Sequence, residues 1–206
     1  MNITSSLNNI NIYPTQQQLW SCDKLIEEHL KWNKIFNLSA HRCFNDVLNN
    51  QLLDSLSVSK FIRSGRLLDI GTGPGFPGLP LAVFHPNTQF TLLDANDKKL
   101  AFARHMKSLL SLKNVSIVHE RIEKLSVDSL FNQIISRAFT DLNDMIQCSL
   151  PRLFPGGEIL AMKGSRAKVE LADAKVTHNS CTMRLEKLPS LINKERVLAI
   201  VRQGIQ

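Results

Sequence analysis

The sequence of 206 residues predicts an α/β protein with a doubly wound, mainly parallel sheet. From Arg66 onward, short apolar runs alternate with amphipathic segments, which is the strand–helix order of such folds. A glycine-rich turn, LLDIGTGPGFPGLPL at residues 67–81, includes the end of the first apolar run. An acid, Asp94, ends the second run, 23 positions after Gly71. In a doubly wound sheet these two features meet beyond the carboxyl ends of the strands, where ligands bind.

The first 65 residues predict a helical extension. Thr15 and Gln18 have the spacing of a capping box, which satisfies the first free amides of a helix. Apolar residues then recur at helical spacing as far as Trp32, and residues 44–61 show similar spacing. No linker rich in proline or glycine follows. We therefore expect residues 1–65 to pack on a body formed by residues 66–206, effectively as one domain.

The body of the chain is predicted to contain five buried strands: RLLDI, QFTLLD, VSIVHE, NQIISRA and GEILAMKG. Between them, the segments PGLPLAVFH, DKKLAFARHMKSLLSL and DLNDMIQCSLPRL have helical periodicity. Near the end of the chain, CTMRLEKLP and ERVLAIVRQ predict two further strands. One of these is expected to be antiparallel and to close the edge of the sheet.

Composition and charge narrow the class of protein. No apolar run approaches the ~20 residues of a membrane span, and the polar start predicts no signal peptide, so we expect a cytoplasmic protein. The four cysteines are far apart and form no cluster with histidine, which favours free thiols and no metal site. The net charge is +7, of which +6 lies in residues 66–206. This excess fits a nucleic-acid partner and ordinary solubility charge equally well.

The glycine-rich turn is compatible with two ligands. From Gly73 it reads G-P-G-F-P-G, the dinucleotide fingerprint. From Asp69 it reads D-x-G-x-G-x-G, which resembles the first motif of class I methyltransferases. A pyrophosphate needs free amides at a helix start, but the prolines of the turn have none, and Phe76 is bulky. S-adenosylmethionine has no phosphate, so the turn favours it. We expect cofactor contacts at Gly71 and Gly73, with Asp69 placed for the amino group.

Two further segments are expected to contact the cofactor. Asp94 is placed to accept the ribose hydroxyls, although an acid at a strand end can instead cap the next helix. In HERIEKL, which follows the third strand, Ile122 offers an apolar face to the adenine and Glu123 a nearby acid. A solvated helix start is the alternative for these two residues.

The sequence after the fourth strand favours a target atom with a free lone pair, such as guanine N7. ISRAF stands where enzymes acting on amino groups carry Asn/Asp-Pro-Pro-aromatic, and no cysteine nucleophile or pair of carboxylates is there. Guanine N7 has a free lone pair, so it needs no general base, and proximity supplies most of the catalysis. Arg137 and Lys163 suit phosphate or guanine-edge contacts. The alternatives are a salt bridge of Arg137 with Asp141 or Glu123, and a solvated Lys163.

Six segments together resemble one known family: KWNKIFNLSA, LLDSL, DIGTGPGFPGLPLA, FTLLDANDKK, ISRAFTDLNDM and AMKG. They are similar to the bacterial small-subunit ribosomal RNA guanine-N7 methyltransferases, also called glucose-inhibited division protein B, from about Lys31 to Gly164. The resemblance implies a Rossmann-like class I S-adenosylmethionine-dependent methyltransferase fold with an N-terminal helical extension. It also implies methyl transfer to N7 of a guanine in the decoding-region loop of 16S rRNA, as naked RNA or in the small ribosomal subunit.

The resemblance also implies roles for individual residues. Asp94 would hold the ribose, and Lys163 would lie near the substrate opening. Many relatives have a basic residue and a histidine before the DS of the helical extension, where this chain has Asn50 and Gln51. The remaining cofactor contacts implied by the motifs are Gly71, Phe76, Ile122, Glu123 and Arg137.

The sequence leaves two other functions as alternatives. One is an NAD(P)-dependent oxidoreductase built on the same glycine turn, and the other is a non-catalytic RNA-binding protein with a vestigial cofactor fold. We expect a monomer without a metal and without a catalytic general base.

Overall fold

The structure, a computed structural model, describes residues 2–126, 128–189 and 196–204. The described residues form one seven-stranded sheet. Its strands are β1 Gly65–Ile70, β2 Thr88–Asp94, β3 Val115–His119, β4 Phe131–Arg137, β5 Leu153–Lys163, β6 Cys181–Lys187 and β7 Val197–Gln203.

The strands lie in the order β3-β2-β1-β4-β5-β7-β6. Strands β1 to β5 are parallel, and β7 is antiparallel to both of its neighbours, β5 and β6. The order therefore reverses between β1 and β4, which is the switch point where ligands bind in such sheets. The prediction of a mainly parallel sheet with one antiparallel strand near its edge is confirmed.

Helices cover both faces of the sheet. Helix α2 packs against α5 and α6, whereas α7 packs against α8 and β5. Short 3-10 turns occur at Ser59–Phe61, Ile122–Lys124 and Leu150–Arg152. The helices are α1 Ile3–Asn8, α2 Gln16–Phe36, α3 Phe44–Val47, α4 Asp54–Leu56, α5 Gly78–Phe84, α6 Asp97–Leu109, α7 Leu142–Ser149 and α8 Ala167–Thr177.

Helix α2 begins with the predicted capping box. The Thr15 hydroxyl accepts a hydrogen bond from the Gln18 amide, and the Gln18 side chain accepts one from the Thr15 amide. The helix continues four residues beyond Trp32 and ends where Asn37 adopts a left-handed backbone with φ 49°. Asparagine tolerates this conformation better than most residues, so it is a suitable helix end.

A π-helical turn, Leu48–Leu53, joins α3 to α4. Residues 44–61 are thus helical for most of their length, as predicted, but with three different helical geometries. A π turn leaves backbone carbonyls displaced from the regular ladder, and such turns are frequent at functional sites. In this protein the turn lies next to the end of β4, where Arg137 reaches it.

Alternating residues of the strands feed two apolar cores, one on each face of the sheet. Leu67 and Leu92 point to the face covered by the N-terminal helices, and Leu68 and Leu93 point to the opposite face. The first core also contains Leu25 from α2 and several residues of the π turn and α4. Residues of the predicted extension and of the body therefore share one core. The boundary at residue 65 stays a prediction.

Gly78 begins α5 at a point of close packing against the sheet. A Cβ atom at Gly78 would lie 2.1 Å from Leu92 Cδ2 and 2.7 Å from Asp69 Oδ2. We expect Gly78→Ala to lower the free energy of unfolding by roughly 1–3 kcal/mol, measured by urea denaturation. The matched control is Gly164→Ala, because nothing lies within 4 Å of the added Cβ. The control should change stability by less than about 0.5 kcal/mol, and an equally mild effect at Gly78 would contradict this packing.

Candidate functional site

Two adjoining cavities open at the carboxyl ends of the central strands. The smaller cavity, about 320 Å³, lies beside the ends of β1 and β2. The larger cavity, about 710 Å³, lies between the ends of β4 and β5 and the N-terminal helices. Ala138 and Phe139 line both cavities, so the two spaces meet there. Of the predicted site residues, the smaller cavity is lined by Gly71, Asp94, Ile122 and Glu123, and the larger by Arg137 and Lys163.

The buried carboxylate of Asp69 holds the glycine-rich turn closed. Its Oδ2 atom accepts hydrogen bonds from the Thr72 hydroxyl at 2.6 Å and from the Gly78 amide at 2.8 Å. These bonds tie the start of the turn to the first residue of α5. The other oxygen, Oδ1, has no partner among the described residues. The predicted contact of Asp69 with a cofactor amino group stays a prediction, and the structure adds a structural role.

Every backbone amide from Gly71 to Leu79 donates a hydrogen bond within the protein. The Gly73 amide donates to Asp94 Oδ2 at 2.7 Å, and the others donate to backbone carbonyls or to Asp69. Pro74 and Pro77 have no amide hydrogen. The turn thus offers no free amide to a pyrophosphate, which argues against a dinucleotide. The donating amides are those of Gly71, Thr72, Gly73, Gly75, Phe76, Gly78 and Leu79.

Asp69 titrates far from its ordinary range. Burial raises the pKa of its carboxyl from 3.8 to about 7, and the negative charge of Asp94 acts in the same direction. The hydrogen bonds from Thr72 and Gly78, and the positive charge of Arg137, oppose this rise. The folded protein therefore holds a proton on Asp69 at pH values where an exposed aspartate is fully ionised.

Asp94 is oriented on both of its oxygens. Oδ2 accepts from the Gly73 amide at 2.7 Å, and Oδ1 accepts from the Asn96 amide at 2.7 Å. Asn96, not Asp94, caps α6, so the helix-cap alternative for Asp94 is excluded. Each carboxylate oxygen has further acceptor capacity. Asp94 can therefore still receive hydroxyl groups in the smaller cavity, as its predicted ribose role requires.

Ile122 and Glu123 begin a 3-10 turn at the far wall of the smaller cavity. The Arg152 guanidinium, nearly buried, donates to the carbonyls of Ile122 at 3.2 Å and Ser126 at 2.9 Å. This contact fixes the turn from beneath. Sequence reasoning missed Arg152, because the residue lies about 30 positions further along the chain and carries no motif.

Charge in the smaller cavity suits a cationic ligand better than a pyrophosphate. Three carboxylates line it, against the two cations Lys99 and Arg121. Ile122 contributes to an apolar wall of this cavity. A thioether or sulfonium ligand with an adenosine group has hydroxyls for the acids and a flat ring for the apolar wall. The three carboxylates are Asp94, Glu120 and Glu123.

Gly73 and Phe76 do not line the smaller cavity. Gly73 acts through its amide, which holds Asp94. The Phe76 ring is buried, and it meets His29 edge-on at 5.6 Å between ring centroids. The Arg137 guanidinium lies 5.9 Å from the Phe76 ring centroid. Direct cofactor contacts at Gly73, Phe76 and Arg137 stay predictions, and the structure does not place these side chains on the cavity wall with Asp94.

Arg137 is held by the N-terminal helices and not by the predicted salt-bridge partners Asp141 or Glu123. Its Nη1 donates to the Asn50 carbonyl at 2.8 Å and to Asp54 Oδ2 at 3.1 Å, and its Nη2 donates to the Gln51 side chain. The π turn therefore directs a carbonyl and an amide oxygen at this guanidinium, and Asp54 at the start of α4 adds a carboxylate.

These contacts define the positions of Asn50 and Gln51. In this chain both residues bind Arg137, so they are parts of the larger cavity wall. Asp54 also accepts from Arg196 Nε at 2.8 Å, which makes it the shared anion of two arginines. A contact of Asn50 or Gln51 with RNA is not tested by these observations.

Lys163 is not the solvated lysine of the alternative. Its side chain is only 11% exposed, and its Nζ lies 2.8 Å from Glu170 Oε2. The same Nζ donates to the Thr140 carbonyl at 2.6 Å. Lys163 thereby joins the end of β5 to the segment after β4 and to α8. Its RNA contact stays a prediction.

The KWNKIFNLSA segment shapes a loop at the larger cavity. Asn33, buried in α2, accepts from the Ser39 amide at 2.9 Å and donates to the His41 carbonyl at 2.7 Å. His29 Nε2 bonds the Ser39 hydroxyl at 2.9 Å, and burial lowers the pKa of His29 to about 4, so the ring is neutral at pH 7. His41 lines the larger cavity. Buried polar residues of α2 therefore place this loop.

Phe139 is the site residue to which sequence reasoning assigned no role. Its ring is 40% exposed and borders both cavities. Ala138 before it has a left-handed backbone, φ 54°, and the ring lies close over Gly71, whose added Cβ would be 2.8 Å from Phe139 Cδ2. The ISRAF motif was the available signal, but only the fold shows that its last residue reaches the glycine turn.

The described residues lack two other kinds of site. No helix among them has the length and apolarity to cross a membrane. Within the same residues, no group of three or more histidine, cysteine or acidic side chains could bind a metal ion. The four cysteines are free, as predicted.

Comparisons with known proteins agree with this geometry. A family profile described as rRNA small subunit methyltransferase G matches residues 18–199. The ribosomal RNA small subunit methyltransferase G of Hydrogenovibrio crunogenus is 43% identical over 162 residues, covering 77% of this chain and 74% of the relative. That of Cellvibrio japonicus is 43% identical over 167 residues, covering 79% and 76%.

Solved structures show the same fold. The crystal structure of precorrin-6y C5,15-methyltransferase from Geobacter metallireducens has a TM-score of 0.57 and 17% identity. The likeness covers 74% of this chain and 88% of that chain. Because the identity is low, this likeness concerns the methyltransferase fold alone, which the sequence predicted.

The titration of Asp69 gives a testable pH dependence. Between about pH 4 and pH 7 the native state binds more protons than the unfolded state, so the contribution of Asp69 to stability falls as pH rises. We expect the free energy of unfolding of Asp69→Asn, relative to wild type, to rise across this window in urea titrations. Asp97→Asn is the control, because the hydrogen bond from Arg104 lowers the pKa of Asp97 below its ordinary 3.8, so its difference should stay nearly flat across this window. A flat difference for Asp69→Asn would contradict the raised pKa.

Proposed function

This chain belongs to the GidB family, rRNA small subunit methyltransferase G, and we propose that it methylates N7 of a guanine in the decoding-region loop of 16S rRNA. It is an rRNA methyltransferase, and its cofactor is S-adenosyl-L-methionine. The main support for this proposal is that two cavities meet at Ala138 and Phe139, one with more carboxylates than cations and one with more cations than carboxylates. The methyl donor occupies the smaller one and the RNA base enters the larger one.

The residues of the smaller cavity fit the methyl donor. Asp94 would accept the ribose hydroxyls, Ile122 would face the adenine, and Glu123 would lie beside it. The glycine turn would approach with bare backbone at Gly71, whose φ of 66° favours glycine. When bound, the cofactor supplies an electrophilic methyl group on a positively charged sulfur, and the carboxylates of this cavity favour that charge.

The larger cavity supports a target that needs no general base. Two of its three carboxylates are paired with cations: Asp54 with two arginines and Glu170 with Lys163. Asp141 caps α7 through one oxygen, so a nucleophile that had to lose a proton would find only this exposed acceptor among them. The lone pair of guanine N7 requires none, so the protein has to align the base and exclude water.

The larger cavity also supports an RNA substrate. Four cations line it against three carboxylates. Arg166 is exposed at the start of α8, and its guanidinium has no ion-pair partner within the described part of the chain. Together with Arg137 and Lys163, it would contact phosphates or the edge of the guanine. The RNA is naked 16S rRNA or part of the small ribosomal subunit.

The proposal includes the remaining expectations from the sequence. The enzyme acts in the cytoplasm as a monomer and without a metal ion. Residues 1–65 form the helical extension, and residues 66–206 form the methyltransferase domain. The oxidoreductase alternative requires amides for a pyrophosphate, and the committed amides of residues 71–79 speak against it.

Labelled methyl transfer tests the proposal. The protein is incubated with tritiated S-adenosylmethionine and with small subunits or naked 16S rRNA that lack the modification. We expect label in 16S rRNA at a single guanine, with chain cleavage at that position after borohydride and aniline treatment, which detects N7 methylation. Label at another atom, or no label, would contradict the proposal. Retained RNA binding without cofactor binding would instead favour the vestigial RNA-binding protein.

The ribose role of Asp94 has its own test. Asp94→Ala removes the acceptor for two hydroxyls and the partner of the Gly73 amide, so we expect roughly 5- to 150-fold weaker S-adenosylmethionine binding by calorimetry. Asp97→Ala is the control, because Asp97 lies on α6 outside the smaller cavity. Unchanged affinity in Asp94→Ala, in a variant that still folds, would refute the ribose role.

A further inference from the structure

Phe139 lies where the smaller and the larger cavity meet. If the donor lies in the smaller cavity and the base in the larger, the reacting atoms meet at their border. Only Ala138 and Phe139 line both cavities among the described residues. Ala138 offers a methyl group, so Phe139 is the single large side chain at this border.

The Phe139 ring has an unoccupied surface. It is 40% exposed, which is unfavourable for an aromatic side chain at the end of a buried strand. Within the described part of the chain it has neither an aromatic nor a cationic partner of the kind seen for Phe76 or Trp32. An apolar, flat surface at the mouth of a polar cavity suits another flat ring.

The backbone holds the Phe139 ring in this exposed place. Ala138 adopts a left-handed conformation, φ 54°, which costs free energy in a residue with a Cβ and is found where tertiary contacts impose it. The consequence is that the ring turns back over Gly71, where an added Cβ would meet it at 2.8 Å. The ring is therefore supported from the glycine turn and is presented to the larger cavity.

We propose that Phe139 stacks on the target guanine and sets its position against the methyl donor. This inference rests on the proposed function. Stacking on an aromatic ring is tolerant of base identity, because every base has a π face. Phe139 thus fixes the plane and distance of the base, while polar residues of the larger cavity recognise its edge. The target must then be unstacked from its RNA neighbours, as in a loop.

Three substitutions test the stacking. Phe139→Leu keeps an apolar side chain but removes the π face, whereas Phe139→Trp keeps a flat ring. The matched control is Phe44→Leu, because Phe44 is similarly exposed but lies outside both cavities. We expect kcat/KM for unmodified small subunits to fall roughly 5- to 150-fold in Phe139→Leu. Phe139→Trp should retain most of the wild-type kcat/KM, and Phe44→Leu should have the same kcat/KM as wild type.

Cofactor binding separates the proposal from its competitors. The dissociation constant of S-adenosylmethionine, measured by calorimetry, should stay within about twofold of wild type in Phe139→Leu, well under one tenfold step of affinity. An equal loss of cofactor affinity would assign the ring to the cofactor and overturn the proposal. Full kcat/KM in Phe139→Leu, or an equal loss in Phe139→Leu and Phe139→Trp, would also overturn it.

A binding measurement distinguishes failure of this inference from failure of the proposed function. The added fluorescence of Phe139→Trp over wild type should be quenched by an rRNA fragment with the target guanine, and not by the same fragment with an abasic site there. If the wild-type enzyme is active but the two RNA fragments quench the Phe139→Trp fluorescence equally, only the stacking inference is overturned. If the wild-type protein methylates no rRNA and the Phe139→Trp fluorescence is not quenched, both the stacking and the proposed function are overturned.

Discussion

The ligand-binding edge of this protein depends on one buried carboxylate, that of Asp69. It ties the Thr72 hydroxyl and the Gly78 amide together, so the chain leaves β1, turns and enters α5 within nine residues. Gly78 allows this close packing, because an added Cβ would meet the side chains of Asp69 and Leu92. The amides of the turn all donate to groups of the protein, in the turn itself, in β1 or in β2, which leaves a surface without phosphate donors. The smaller cavity beside this turn therefore suits a ligand without a pyrophosphate, as we propose for S-adenosylmethionine.

A second anion, Asp54, joins the N-terminal helices to the catalytic edge. It lies between Arg137 at the end of β4 and Arg196 beside β7, while the π turn adds a carbonyl and Gln51 to the same guanidinium. Breaking one partner of such a partly buried pair leaves a charge without compensation, so the cluster resists local opening. The helical extension is thereby a wall of the larger cavity.

Sequence reasoning succeeded where the relevant contacts are local. Spacings within a few residues predict the capping box at Thr15, the strands with side chains alternating between the two cores, and the acid at the tip of β2. Reasoning from the chain did not find the partner of Arg137, which is 83 positions away, nor the support that Arg152 gives to the turn at Ile122. Such partners come together only when the fold brings distant segments into contact. The periodicity of the sequence does not predict which distant segments will meet.

The sequence by itself determined the class of fold, the methyltransferase motif and the family, because glycine, proline and apolar spacing act on backbone geometry directly. Only the tertiary structure decided how the amides of residues 71–79 are used, and that Phe139 stays exposed at the border of the two cavities. It also decided that the smaller and the larger cavity meet at residues 138 and 139. The physical reason is that a hydrogen bond or an exposed ring depends on which segments the fold brings within a few ångströms, and the chain order does not contain that distance.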